Sequence, residues 1–173
     1  FNNLGLIVSS SYMVLTIILK GITYQKFQKA LVDQEIDYIS MQTKPSPFNT
    51  IMWTANIETE DSFLIGNYSF FDTRPIQFHS HPKNHEALGS LKDEDKIQRL
   101  IKVAEGWYTV TERDGQMLFN DLRFGLMSVD PDTDKYAFSY ILEKKNDELK
   151  IIEEPKDRSD AKKLLADLWQ RIG

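Results

Sequence analysis

A chain of 173 residues, 41% hydrophobic and 12% aromatic, is long enough to bury the core of one domain and too apolar for a disordered tail. Its formal charge of −5 provides no basic stripe to neutralise phosphates, which argues against a nucleic-acid partner. The absence of cysteine excludes disulfides, thiolate metal sites and a cysteine nucleophile.

The chain opens on Phe1 without a methionine, as expected of a fragment or a processed product. The stretch LGLIVSSSYMVLTIILKG, Leu4 to Gly21, carries no charge before Lys20 and sits near the lower limit of a bilayer-spanning helix. It has neither the basic n-region nor the small-residue cleavage site of a signal peptide. The helical pattern continues through Ile22, Lys26, Phe27, Lys29, Ala30 and Leu31, so one long helix is predicted from about Leu4 to Gln34. Its first half admits two readings. One is a core helix covering a sheet, with Tyr12, Leu15, Leu19, Ile22 and Phe27 on the buried side. The other is the end of a membrane span running into a soluble domain, with Lys20, Lys26 and Lys29 favouring the cytoplasmic face.

After Glu35 the texture changes to short alternating or β-branched runs. IDYISMQT and NTIMWTANIE flank the proline-marked connection KPSPF, SFLIGNYSFF follows, and PIQFHS reads as a further short strand or extended edge. From Pro82 the pattern becomes helical, with NHEALGSL as one short helix and DEDKIQRLIKVAEG as a second that stops at Gly106. WYTVTE and QMLFNDLRFG form a hairpin with Asp-Gly at its turn, and KYAFSYILEK and ELKIIEE form another. Ser159 caps a final amphipathic helix, DAKKLLADLWQRI, with Leu164, Leu165, Leu168, Trp169 and Ile172 on its buried side. One helix, three or four strands, a helical pair, about five strand runs and a last helix define an α+β fold with a mostly antiparallel sheet. Residues 1–34 form the N-terminal helix, and 35–173 a single domain packed with it.

All three histidines fall in FHSHPKNHEALGS: His79, His81 and His85. A His-x-His pair on an extended segment puts two imidazoles on one face, and a third histidine four residues on completes three ligands of an open zinc site, with Asp72 or Glu86 as a fourth. The competing reading is a solvated strand end and loop. No Gly-rich phosphate loop, nucleophile elbow, H-E-x-x-H helix or EF-hand loop is present. Polar residues inside apolar strands form the second candidate. Asp121 and Arg123 are two apart and share a strand face, and with Asn49, Trp53, Arg74 and Lys83 they would line a substrate pocket. The alternative for Asp121 and Arg123 is a structural ion pair.

PSPFNTIMW, IQFHSHPKN, AEGWYTVTERDGQMLFNDLRFG and YAFSYIL, in that order, resemble the C-terminal soluble region of a bacterial family of predicted membrane-bound metal-dependent hydrolases. The resemblance covers about Tyr12 to Leu142 and is most specific in PFNT-x-x-W and DLRFG; the family's Pro-Arg-Asn element stands here as Pro82-Lys83-Asn84, which keeps the charge but not the guanidinium fork. The resemblance implies that a divalent metal and its histidine and aspartate ligands belong to an N-terminal multi-spanning half, in elements similar to THxxxG, PDxD and HRxxTHS, none of which occurs in this sequence. The chain is therefore expected to be a cytoplasmic-face accessory domain whose partner is the membrane half of its own parent protein. Two other expectations compete: an autonomous metalloenzyme using His79, His81 and His85, and a structural domain that dimerises through the apolar helix from Leu4 to Leu19.

Overall fold

The structure, a computed structural model, describes residues 2–46, 51–128, 133–145 and 148–155. Its architecture is α+β. A long helix, α1 (Asn2–Asp33), is followed by β1 (Ser40–Pro45), β2 (Met52–Glu58), β3 (Ser62–Ser69) and β4 (Phe78–Pro82). A 3-10 segment (His85–Asp93) and α2 (Asp95–Val103) lead into β5 (Tyr108–Arg113), β6 (Gln116–Leu126), β7 (Tyr136–Lys145) and β8 (Glu148–Glu153). The strands form two antiparallel four-stranded sheets, β1-β2-β3-β4 and β5-β6-β7-β8, each in sequential order. Four strands follow α2 among the described residues, where the sequence suggested about five. The helix expected after Ser159 lies outside the described residues.

Two compact units divide the chain. The first contains Phe1–Glu60 and Leu64–Phe78; the second contains Asp61–Phe63 and His79–Arg171.

In the first unit the second half of α1 lies on the sheet. Thr23, Phe27 and Leu31, spaced by four, fall on one helix face and are fully buried, and the last two pack against Trp53, Ala55 and Ile57 of β2. Those three alternate along β2 and so share the face turned to the helix. The helix ends in a left-handed residue, Glu35, with the Ile36 N–H donating to the Leu31 carbonyl, the six-to-one bond that satisfies a terminal carbonyl. The expectation that Tyr12, Leu15 and Ile22 also face a core is corrected: all three are exposed, and Leu19 is the first of that set to touch the cluster. Before Leu19 the apolar residues point in every direction, so no single face exists that a sheet could cover.

In the second unit the hairpin of β5 and β6 turns through Asp114 and Gly115, both with positive φ (54° and 74°), as a two-residue turn matching the strand twist requires. One face of this sheet carries Tyr108, Val110, Phe119, Leu142 and Leu149, which pack with Leu88 of the 3-10 segment, Ile97 of α2 and Ala104. The short helix predicted over NHEALGSL is 3-10 rather than α, and it is broken at Gly89. The helix expected to stop at Gly106 has Val103 as its last residue and Ala104 as its cap, and Glu105 and Gly106 beyond it both have positive φ (54° and 80°).

Candidate functional site

Within the second unit, the segment Pro82-Lys83-Asn84 joins β4 to the 3-10 segment and is fastened from two sides. The Lys83 N–H donates to the Asp61 carbonyl (3.0 Å), and the Lys83 carbonyl accepts from the Val110 N–H of β5 (3.0 Å). Asn84, in the left-handed region (φ 48°), donates from Nδ2 to the Val110 carbonyl at 3.2 Å, so its side chain caps the strand edge that its backbone turns away from. The Lys83 ammonium then sits 5.1 Å from the centre of the Phe63 ring, and Phe63 packs on Trp107 at 5.2 Å.

The histidines around this segment point to different partners. His81 is buried, with Nδ1 3.0 Å from the Tyr136 hydroxyl. His85 stacks on Tyr108 with centroids 3.9 Å apart, and Tyr108 stacks in turn on Phe119 at 4.5 Å. Nε2 of His85 lies 2.8 Å from the Tyr108 carbonyl, an acceptor only, so this nitrogen carries the proton. His79 is half-buried. Among the described residues no group of three or more histidine, aspartate or glutamate side chains is placed to hold a metal ion. Two of the three imidazoles have separate tyrosine partners: His81 meets Tyr136 of β7, and His85 meets Tyr108 of β5.

A buried polar layer crosses the second sheet. Thr109, Asn120 and Ser139 are directly opposed on β5, β6 and β7. The Ser139 hydroxyl donates to Asn120 Oδ1 (2.7 Å), and Asn120 Nδ2 donates to the hydroxyls of Thr111 (2.9 Å) and Thr109 (3.4 Å). Burial pushes the Tyr136 phenol above its ordinary pKa, and a hydrogen bond with Thr109 pulls it the other way, linking the layer to His81. Such a layer is stable because each buried polar atom in it has a partner.

Asp121 and Arg123 form a bidentate pair on β6. Asp121 Oδ2 accepts from Nη2 (2.8 Å), Oδ1 accepts from Nε (3.1 Å), and Oδ1 also accepts from the Arg123 backbone N–H (2.9 Å). That last bond lies where the register between β6 and β7 shifts, so the carboxylate takes up an N–H that the irregular ladder releases. The Asp121 side chain is 5% exposed and that of Arg123 22%. Glu105 approaches the guanidinium at 3.6 Å, and the Asp121 hydrogen bond raises the Arg123 pKa above its ordinary value. With two carboxylates against one guanidinium the trio is net negative, which suits an ion pair that fixes the strand better than an anion receptor.

Of the six residues expected to line a pocket, Asn49 lies outside the described residues. Trp53 is in the core of the first unit beneath α1, and Arg74 is exposed in that unit. Lys83, Asp121 and Arg123 belong to the second, where β5 stands between them: Val110 binds the Lys83 segment, and Tyr108 is opposite Asp121. Sequence reasoning missed Tyr136, Thr109, Asn120 and Ser139. Their signal was a small polar residue in the middle of each of three apolar strands, and it becomes readable only once the register is known.

No family model matches the chain, and no curated protein and no solved structure is significantly similar to it. What the structure defines is an α+β protein with, among the described residues, one helix, Leu4–Asp33, long and apolar enough to cross a membrane.

Proposed function

We propose that this chain is a membrane-attached accessory domain of a bacterial integral-membrane protein, positioning a substrate or partner for a membrane-embedded metal-dependent hydrolase site. One observation carries the attachment. Residues 4–18 of α1 bear no charge, are mostly apolar without a single apolar face, and leave their large apolar side chains exposed. A helix apolar all round belongs in a low-dielectric medium. The uncharged helical run from Asn2 to Leu19 would be roughly 27 Å long at about 1.5 Å per residue, close to the ~30 Å of a hydrocarbon core. Lys20, Lys26 and Lys29 at its end favour the cytoplasmic side.

The hydrolase part of the reading is supported by the ordered motifs that resemble the membrane-bound family, and it assigns the divalent metal to the membrane half of the parent protein. In this reading Lys83, held by backbone bonds on both sides, is the contact to substrate or partner, and Asp121 with Arg123 keeps β6 in shape on the far side of β5. Flotation of the full chain with liposomes tests the attachment: the protein is expected to rise with the vesicles and to resist alkaline carbonate. A monodisperse protein that stays in the aqueous fraction sinks the proposal, and a lipid-independent dimer would favour self-association through Leu4 to Leu19 instead. Elemental analysis after zinc titration is expected to find no stoichiometric metal. One tightly held zinc per chain would move the chemistry to His79, His81 and His85.

A further inference from the structure

The charge of this protein is unevenly distributed. Its first 32 residues contain Lys20, Lys26 and Lys29 and no carboxylate, whereas the remaining 18 basic and 26 acidic residues leave a net −8 on the rest of the chain. All three lysines are exposed, and among the described residues no carboxylate pairs with any of them. Tyr24, 39% exposed, stands between the first two, an aromatic with a polar tip of the kind that settles at a headgroup layer. The cluster begins directly where the uncovered apolar half of α1 ends.

We infer that Lys20, Tyr24, Lys26 and Lys29 form a collar that gathers anionic phospholipid headgroups around the point where α1 leaves the bilayer, an inference that rests on the attachment proposed above. Charge complementarity selects the occupant: three unpaired ammonium groups on an otherwise acidic protein attract a phosphodiester, and the adjoining apolar helix fixes that phosphodiester as one belonging to a lipid. Distance grades the contributions. Lys20 lies at the boundary, while Lys26 and Lys29 stand roughly 9 and 14 Å further along the axis at about 1.5 Å per residue. With a screening length of about 8 Å at physiological ionic strength, Lys20 contributes most and Lys29 least.

The experiment reconstitutes the full chain in phosphatidylcholine bilayers and measures, with chain-spin-labelled lipids, the preference of its boundary layer for phosphatidylglycerol over phosphatidylcholine. At low salt a preference of several-fold is expected, falling towards one at about 1 M salt, where the screening length is about 3 Å. Lys20→Gln should remove up to about fivefold, with Lys26→Gln and Lys29→Gln removing successively less. The same charge change at Lys150 on β8 should leave the preference unaltered. Incorporation without any preference at low salt overturns the collar while leaving the attachment standing, and so does an equal loss from Lys150→Gln. Failure to incorporate at all overturns the attachment and the collar with it.

Discussion

The two halves of α1 are continuous in backbone and opposite in environment. From Leu4 to Ile18 the large apolar side chains are open and gather on no one face, as at Ile17, which is 64% exposed. From Thr23 to Leu31 every fourth residue is fully buried and the intervening positions, Ala30 apart, are polar or charged. The comparison shows that helix formation and helix burial are separate properties of a sequence. Both halves satisfy their backbone internally, but only the second has the one-sided stripe that a sheet can cover. The first half calls for a solvent that accepts apolar surface from every direction.

Phe27→Ala probes the docked half where the largest effect is expected. The ring is fully buried, edge-on to Tyr68 at 6.2 Å and tilted on Phe78 at 6.5 Å, so its removal leaves a cavity under the helix. A loss of about 3–5 kcal/mol in denaturant stability is expected. Leu15→Ala in the open half should change it by less than about 0.5 kcal/mol, the range of surface substitutions. Equal losses would break the distinction between the halves.

Met13→Lys makes the converse test, since Met13 is exposed near the middle of the open half. In a bilayer the lysine should disfavour insertion by about 2.5–3.5 kcal/mol, read as a drop in the membrane-bound fraction. Denaturant stability of the sheets should stay as it was. A variant that unfolds in water would mean that the first half is held by the protein after all.

Gly66→Ala sharpens the picture on the sheet side. A Cβ at Gly66 would lie 2.7 Å from Cδ1 and 2.8 Å from Cε1 of Phe78, the ring that supports Phe27. Phe78 would have to shift against the docked helix, and a loss of about 1–3 kcal/mol is expected. A neutral result in thermal unfolding would show spare volume where the docking needs none.

The elements were legible because local pattern decides them. The uncharged run, the four-residue spacing of Thr23, Phe27 and Leu31, and the Asp114-Gly115 turn each act within a few residues. The candidate site was legible only in part, because its contacts are non-local. The pairing of Asp121 with Arg123 could be read from strand alternation, being two residues apart on one face. The partner of His81 is 55 residues away in β7, and that of His85 is 23 away in β5. Spacing within FHSHPKNHEALGS predicts three converging imidazoles, but spacing does not encode the separate tyrosine partners of His81 and His85. Trp53 shows the same limit from the other direction: an aromatic at a strand start suits a pocket wall and a packing residue equally, and the helix on top of it decides for packing.

The smallest expected effect concerns Tyr68, whose ring meets Phe27 beneath the docked half. Burial raises its phenol above the ordinary pKa, and the nearby Asp72 carboxylate adds to the shift. A folded-state pKa above the unfolded value means that above about pH 10 the unfolded chain has lost a proton that the folded one retains. Stability from this group is therefore complete below about pH 10 and declines as pH rises through the folded pKa. Tyr108, Tyr136 and Tyr140 are shifted upward as well and tilt the thermal midpoint in the same direction, so the decisive quantity is a difference. Tyr68→Phe should make the fall in midpoint between about pH 9 and 11 shallower than in the parent protein. An unchanged slope would mean that water already reaches the ring in the folded state. The docked half would then cover less of the first sheet than the burial of Phe27 requires.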